Sequence, residues 1–220
     1  MKQFGIRMDG CEVGIETLLK ETINNSVGDF NYLEIGVAEC KTLLAATQII
    51  LENKENKNFN IIGLDLPNCG YVIDNLKHIS TNFQKTCRFS LIFDSPITQS
   101  NGVSLILNNN PRQEIIPNLG YEFDFVIVDA CHGRKCVMED FLAIENKTKK
   151  GGVVLFHDTG IEEQGTDWQS HCHENINVRQ ALIDLGLWNQ ERVGWKVLKH
   201  INGTRTTGGD GNSCAAFIKQ

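Results

Sequence analysis

The stretch from Phe123 to Thr159, FDFVIVDACHGRKCVMEDFLAIENKTKKGGVVLFHDT, constrains this chain more than any other. Its apolar runs FVIVDA and VVLFHD read as buried strands, and the amphipathic segment between them reads as a helix, which together make a βαβ unit. Ligands of an open parallel sheet bind outside the carboxyl ends of its strands. Asp129, His132, His157 and Asp158 are therefore predicted to converge on one crevice although they lie apart in sequence.

The alternation continues on both sides. Val13, Ile15, Leu18, Leu19 and Ile23 recur at helical spacing within residues 11–25. NYLEIGV (31–37) reads as a strand, AECKTLLAATQIILEN as a helix and NIIGLDL (60–66) as a second strand. A short helix is expected over 72–79, a third strand over 88–93, a further helical segment within 98–108 and irregular chain over 109–121. Another helix is expected over 176–185, followed by strands at 195–201 and 214–218. The Gly- and Thr-rich connector NGTRTTGGDGNS between those strands predicts a hairpin. The pattern predicts an α/β fold, a Rossmann-like doubly wound sheet of seven strands, mostly parallel with a C-terminal antiparallel hairpin and helices on both faces. A single domain over 1–220 is expected, with 1–30 as an N-terminal helical cap.

A chain of 220 residues with 41% hydrophobic content can bury one substantial core. Its net charge of -6 disfavours a protein that tracks nucleic-acid phosphates and favours a small-molecule acceptor. No apolar run reaches the roughly 18 residues of a membrane span and the N-terminus lacks a signal-like core, so a cytoplasmic protein with no membrane partner is expected. Eight cysteines without a CxxC pair read as reduced thiols rather than a zinc site or a disulfide scaffold. Homo-oligomerisation stays open.

At the end of the first strand, Leu33-Glu34-Ile35-Gly36-Val37-Ala38-Glu39-Cys40 leads into a helix. Gly36 permits a sharp turn and close approach to a ligand, with helix N-terminal amides following it. A dinucleotide site wants GxGxxG, and only its first glycine is present. Glu34 would repel a pyrophosphate and attract an ammonium group. Asp65 ends the second strand, where an acid can accept bonds from ribose hydroxyls, and Asp94 and Ser95 follow the third, where an adenine edge could be read.

Together these residues resemble the class I S-adenosylmethionine-dependent methyltransferases, whose turn runs acid, any residue, glycine, three residues, glycine. Cys40 stands where the second glycine is usual. VDACH followed by GGVVLFHD is similar to the small-molecule O-methyltransferase branch called methyltransferase family 24, with cephalosporin-hydroxylase-like relatives. The resemblance implies methyl transfer to a hydroxyl of a small molecule, with S-adenosylmethionine as cofactor and Mg²⁺ or another divalent cation as an admissible second one. It places Glu34, Gly36, Asp65, Leu66, Asp94, Ser95 and Asp129 in cofactor binding. Asp129, His157 and Asp158 become metal ligands, and His132, assisted by Asp129, a catalytic base. The competing readings are an NAD-linked or nucleotide-sugar oxidoreductase and a cofactor-binding pseudoenzyme with a regulatory role. Residues 160–175, with Trp168, and the nearby His171 and His173 are expected to form a substrate lid.

Overall fold

Runs of apolar residue too long for one half-buried surface become strands covered on both faces. The computed structural model describes residue 6 and residues 10–53, 58–160, 177–203 and 213–220. Its strands are β1 (Phe30–Ile35), β2 (Phe59–Asp65), β3 (Arg88–Phe93), β4 (Gly102–Leu107), β5 (Phe123–Val128), β6 (Thr148–Phe156), β7 (Trp195–Ile201) and β8 (Cys214–Lys219). They form one sheet in the order β3-β4-β2-β1-β5-β6-β8-β7. The pairs from β3 to β6 are parallel, and β8 runs antiparallel to both β6 and β7. This is the expected Rossmann-like sheet with its antiparallel end.

The sheet has eight strands where seven were expected, because GVSLIL (102–107) is β4 and not helix. All of β4 is buried between β3 and β2, where ladder hydrogen bonds and β-branched packing outweigh any helical spacing. The parallel connection from β3 to β4, residues 94–101, contains no helix, although such crossovers are usually longer. It is pinned instead by side chains: Gln99 N–H donates to Ser104 Oγ at 2.8 Å, Ser90 Oγ donates to Gln99 Oε1, and Thr98 Oγ1 donates to the Tyr121 hydroxyl at 2.9 Å.

Helices α1 (Glu12–Asn25), α2 (Lys41–Asn53), α3 (Gly70–Gln84), α4 (Arg134–Glu145) and α5 (Val178–Asp184) cover the sheet. Strand alternation divides the core in two. Phe125 and Ile127 of β5 pack with Tyr32, Ile61, Leu19, Leu43 and Phe83, whereas Val126 and Val128 pack with Leu33, Ile62, Phe141 and Leu182. Each such fully buried side chain contributes about 1.5–3 kcal/mol over its exposed state. Residues 111–118, expected to be irregular, form a π turn and a 3-10 turn that Arg112 ties to α4 by an ion pair with the buried Asp140. The reading of all thiols as reduced fails at Cys136, which is disulfide-bonded. Among the described residues no helix is long and apolar enough to cross a membrane.

The strand ends are level, which is what positions the site. Gly36 N–H donates to Leu64 O at 2.9 Å, Asn108 N–H to Asp65 O at 3.0 Å, Asp129 N–H to Ile35 O at 2.9 Å and His157 N–H to Val128 O at 3.2 Å. Each of these residues stands one step beyond its own strand and is fixed by its neighbour.

Candidate active site

The turn after β1 folds as it does because Gly36 adopts φ +85°, and a Cβ there would lie 2.3 Å from the Asp129 carbonyl oxygen. Both conditions call for glycine. Ala38 and Cys40 also take left-handed conformations, at φ 41° and 57°. Glycine adopts the latter without steric cost, which accounts physically for its place in the pattern that Cys40 interrupts. Cys40 is fully buried, and burial first, then the charges of Glu34 and Asp65, push its thiol pKa far up. It is a packing residue rather than a nucleophile.

The amides expected to meet a ligand anion are already engaged. Val37 N–H and Ala38 N–H donate to Asp65 Oδ2 at 3.0 and 2.9 Å, and Leu66 N–H donates to Oδ1 at 2.7 Å. Asp65 thus braces the turn. Burial raises its pKa and the three amides oppose that rise. Glu34 is 1% exposed and accepts a 2.7 Å hydrogen bond from the Tyr32 hydroxyl. Burial, with Asp129 and Asp65 nearby, pushes its pKa well up against that bond. Three acids therefore gather around one turn, and burial together with the charges of the other two favours the neutral form of Glu34.

Asp94 and Ser95 stand one strand further out than expected, since β4 rather than β3 adjoins β2. The residue beside Asp65 is Asn108, which the sequence reading passed over by assigning its segment to a helix. Asn108 is buried and donates from Nδ2 to Asp94 Oδ1 and Glu114 Oε2, each at 3.0 Å. Asp94 is thereby linked to the crevice through Asn108, while Ser95 Oγ accepts Ile97 N–H at 3.2 Å as an ordinary turn does. The signal for Asn108 was a short β-branched run bounded by Asn101-Gly102 and Asn109-Asn110-Pro111.

At the ends of β5 and β6 the four predicted residues do converge. His157 Nδ1 lies 2.9 Å and His132 Nε2 lies 3.3 Å from the same oxygen, Asp129 Oδ1. Asp158 approaches both rings, with Oδ1 3.4 Å from His157 Nδ1 and Oδ2 3.5 Å from His132 Nε2. Asp158 holds φ 53°, a left-handed conformation that turns the chain sharply after β6. The buried His157 Nε2 has no hydrogen-bond partner, so the polar contacts of this ring are made from its Nδ1 side. Burial alone would lower the His157 pKa, but the Asp129 carboxylate outweighs it and raises the value to about 9. Burial likewise pushes Asp129 up, and the His157 charge with the two imidazole hydrogen bonds reverses this and holds it well below the usual range. Ligand atoms of Asp129, His132 and His157 all lie within 4.8 Å of one another, a spacing compatible with one divalent ion. The expected lid, with Trp168, His171 and His173, lies outside the described residues.

A family model described as a methyltransferase domain matches residues 33–159, from β1 through the last acid of this cluster. Comparison with curated protein sequences gives no match. Among solved structures, the fold resembles the O-methyltransferase TomG of Streptomyces achromogenes, in complex with S-adenosylmethionine and involved in tomaymycin synthesis. The TM-score is 0.61 at 14% identity, covering 94% of this chain and 78% of that one. An O-methyltransferase of Bacillus cereus in complex with S-adenosylhomocysteine gives a TM-score of 0.60 at 14% identity, covering 94% and 79%. A putative O-methyltransferase of Klebsiella pneumoniae gives 0.59 at 13% identity, covering 94% and 78%.

Proposed function

The chain belongs to the methyltransferase domain family, and from that premise we propose that it transfers a methyl group from S-adenosylmethionine to a hydroxyl of a small molecule. The observation that carries this reading is the level placement of the acid-lined turn beside the Asp129, His132, His157 and Asp158 cluster. Structural relatives in complex with S-adenosylmethionine or S-adenosylhomocysteine support the choice of cofactor. The occupied turn amides disfavour a nicotinamide dinucleotide, whose pyrophosphate would need them.

The residues fit such a cofactor chemically. Glu34 and Asp129 set carboxyl groups at the turn for an ammonium to meet, Asp65 keeps acceptor capacity for ribose hydroxyls, and Asn108 and Asp94 offer polar groups to a base edge. When bound, S-adenosylmethionine supplies a methyl carbon already activated by the sulfonium, so the protein's work is alignment and proton removal. His132, with 16% of its side chain exposed, is the group assigned to take the acceptor proton, and Asp129, 3.3 Å from its Nε2, steadies the imidazolium. Asp129, His157 and Asp158 are the residues that would hold a divalent ion, which would bind substrate oxygen and lower its pKa.

S-adenosylhomocysteine at about a hundred times its Kd is expected to stabilise the protein by about 2.7 kcal/mol, read as a rise in Tm, whereas NAD has no effect. Asp65→Ala should abolish that rise. Stabilisation by NAD instead would sink the methyltransferase reading. His132→Ala should retain S-adenosylhomocysteine binding and lose about 10²–10⁴-fold in turnover on an accepted hydroxyl substrate.

A further inference from the structure

We propose that Arg179 is the acceptor-recognising residue of this crevice and that the acceptor is a hydroxy acid, whose carboxylate the Arg179 guanidinium holds while its hydroxyl meets His132. The inference deepens the methyl-transfer reading by naming the substrate class, and it rests on that reading only for what happens to the hydroxyl.

Sheet register is the first ground. Ala215 of β8 pairs with Phe156 of β6 on one side and with His200 of β7 on the other. His200 therefore stands level with the strand end that delivers His157, two strands and about 10 Å away. Helix α5 closes the interval. Asn177 N–H donates to His132 O at 3.0 Å, and two residues on Arg179 Nε donates to Thr159 O at 3.0 Å. Thr159 directly follows Asp158, so Arg179 is fastened to one of the two segments that carry the cluster and the start of its helix to the other. His157 and Thr159 are two residues apart, at most about 7 Å of chain, so a ligand reaching from the cluster to the guanidinium spans about one aromatic ring.

The second ground is the state of the guanidinium. Its carbon lies 4.6 Å from the centroid of the Trp188 ring, and Trp188 in turn packs on His200 with ring centroids 4.5 Å apart. The aromatic face and the bond from Nε fix the guanidinium plane and leave its two Nη groups, the edge that meets a carboxylate in a two-pronged bond. Among the described residues neither Nη group has a hydrogen-bonding or carboxylate partner. Arg112, Arg134 and Arg192, by contrast, hold the carboxylates of Asp140, Asp184 and Glu145. An ordered guanidinium with its fork unused is suited to an anion that arrives with the ligand.

Charge decides which anion. Burial first and then the Arg179 charge lower the His200 pKa, so at neutral pH that ring adds no second cation. One guanidinium balances one negative charge, which matches a carboxylate. A phosphate monoester carries about 1.5 to 2 charges, and the excess would face the acids of the crevice.

The test is the thermal shift of the intact protein, with and without S-adenosylhomocysteine, on adding hydroxybenzoates, hydroxyphenylacetates and hydroxycinnamates as free acids and as methyl esters, beside hydroxyphenyl phosphates. At least one free acid should raise Tm, and its ester should bind about tenfold more weakly or worse, as loss of a charge-assisted pair requires. Arg179→Gln should lose the preference for acid over ester, and Arg179→Lys, which keeps the charge without the fork, should recover it in part, with circular dichroism reporting whether each variant folds. Failure of every free acid to bind, equal binding of acid and ester, or tighter binding of the phosphates, each in the unaltered protein, overturns the proposal whatever the variants do. A preference retained in folded Arg179→Gln gives the carboxylate to another group and overturns it as well. The cofactor arm separates the two readings: acid binding without any binding of S-adenosylhomocysteine upholds the Arg179 site and sinks the methyltransferase reading, whereas cofactor binding with methylation of neutral acceptors alone does the opposite.

Discussion

Glu34 illustrates what a residue letter tells and what it hides. An acid two positions before the turn glycine pointed to a cationic ligand, but its burial beneath the turn and its bond from Tyr32 follow from the strand's two-residue period, which puts positions 32 and 34 on one helix-covered face. A buried acid with a raised pKa stabilises the fold below its ordinary pKa of 4.5, and that contribution is lost as the pH climbs through the folded value. Glu34→Gln, keeping the shape and the Tyr32 bond, should therefore raise stability at neutral pH by about 1 kcal/mol or more, seen in urea melts, while weakening S-adenosylhomocysteine binding. His157 follows the same sign for a different cause, a charged partner rather than burial. Its raised pKa means that the ion pair with Asp129 stabilises the metal-stripped protein fully below pH 6.5 and fades as the pH rises through about 9. The partner's lowered pKa makes the same pair fade as the pH falls below the usual carboxylate range. The upper limb is worth about 3 kcal/mol at 1.36 kcal/mol per pH unit. In His157→Gln, Tm should show no such loss between pH 7 and 10.

Elements were legible wherever period and punctuation agreed. The β5-α4-β6 unit, the terminal hairpin strands and the α2 turn stand within a few residues of their expected bounds, because each couples an apolar run to Gly, Asp or Asn at its end. The β3 to β4 region failed because parallel neighbours were expected to be joined through a helix, and here the side chains of Gln99, Ser104 and Thr98 hold the return. That one error hid Asn108, which stands beside Asp65 and hydrogen-bonds Asp94. The short turns of 111–118 were invisible for another reason: they are anchored by Arg112 reaching Asp140 on α4, a contact remote in sequence. Burial raises the Asp140 pKa and the Arg112 charge opposes it. Removing the guanidinium in Arg112→Met leaves the carboxylate buried and unpaired, which should cost about 3 kcal/mol at pH 7 and less at pH 4, measured by denaturant melts at both. Gly36→Ala should destabilise by about 2 kcal/mol or more, as the added methyl meets the β5 backbone and φ stays positive.

For the whole molecule, the convergence of Asp129, His132, His157 and Asp158 was predictable from topology alone, since neighbouring parallel strands end on the same side. Their distances were not, because these depend on register, and register is fixed by pairing across the sheet rather than along the chain. Amide hydrogens of Gly36, Asn108, Asp129 and His157 should exchange only with global unfolding, and should remain protected in Asp129→Asn, since the bonds that hold them involve no side chain. That arrangement makes the crevice a row of sockets. Any residue with an N–H can be seated at 108, 129 or 157 and delivered to the same point in space, and proline alone is refused. New chemistry at this rim can therefore arise by exchanging single side chains, with the backbone bonds that seat them left unchanged.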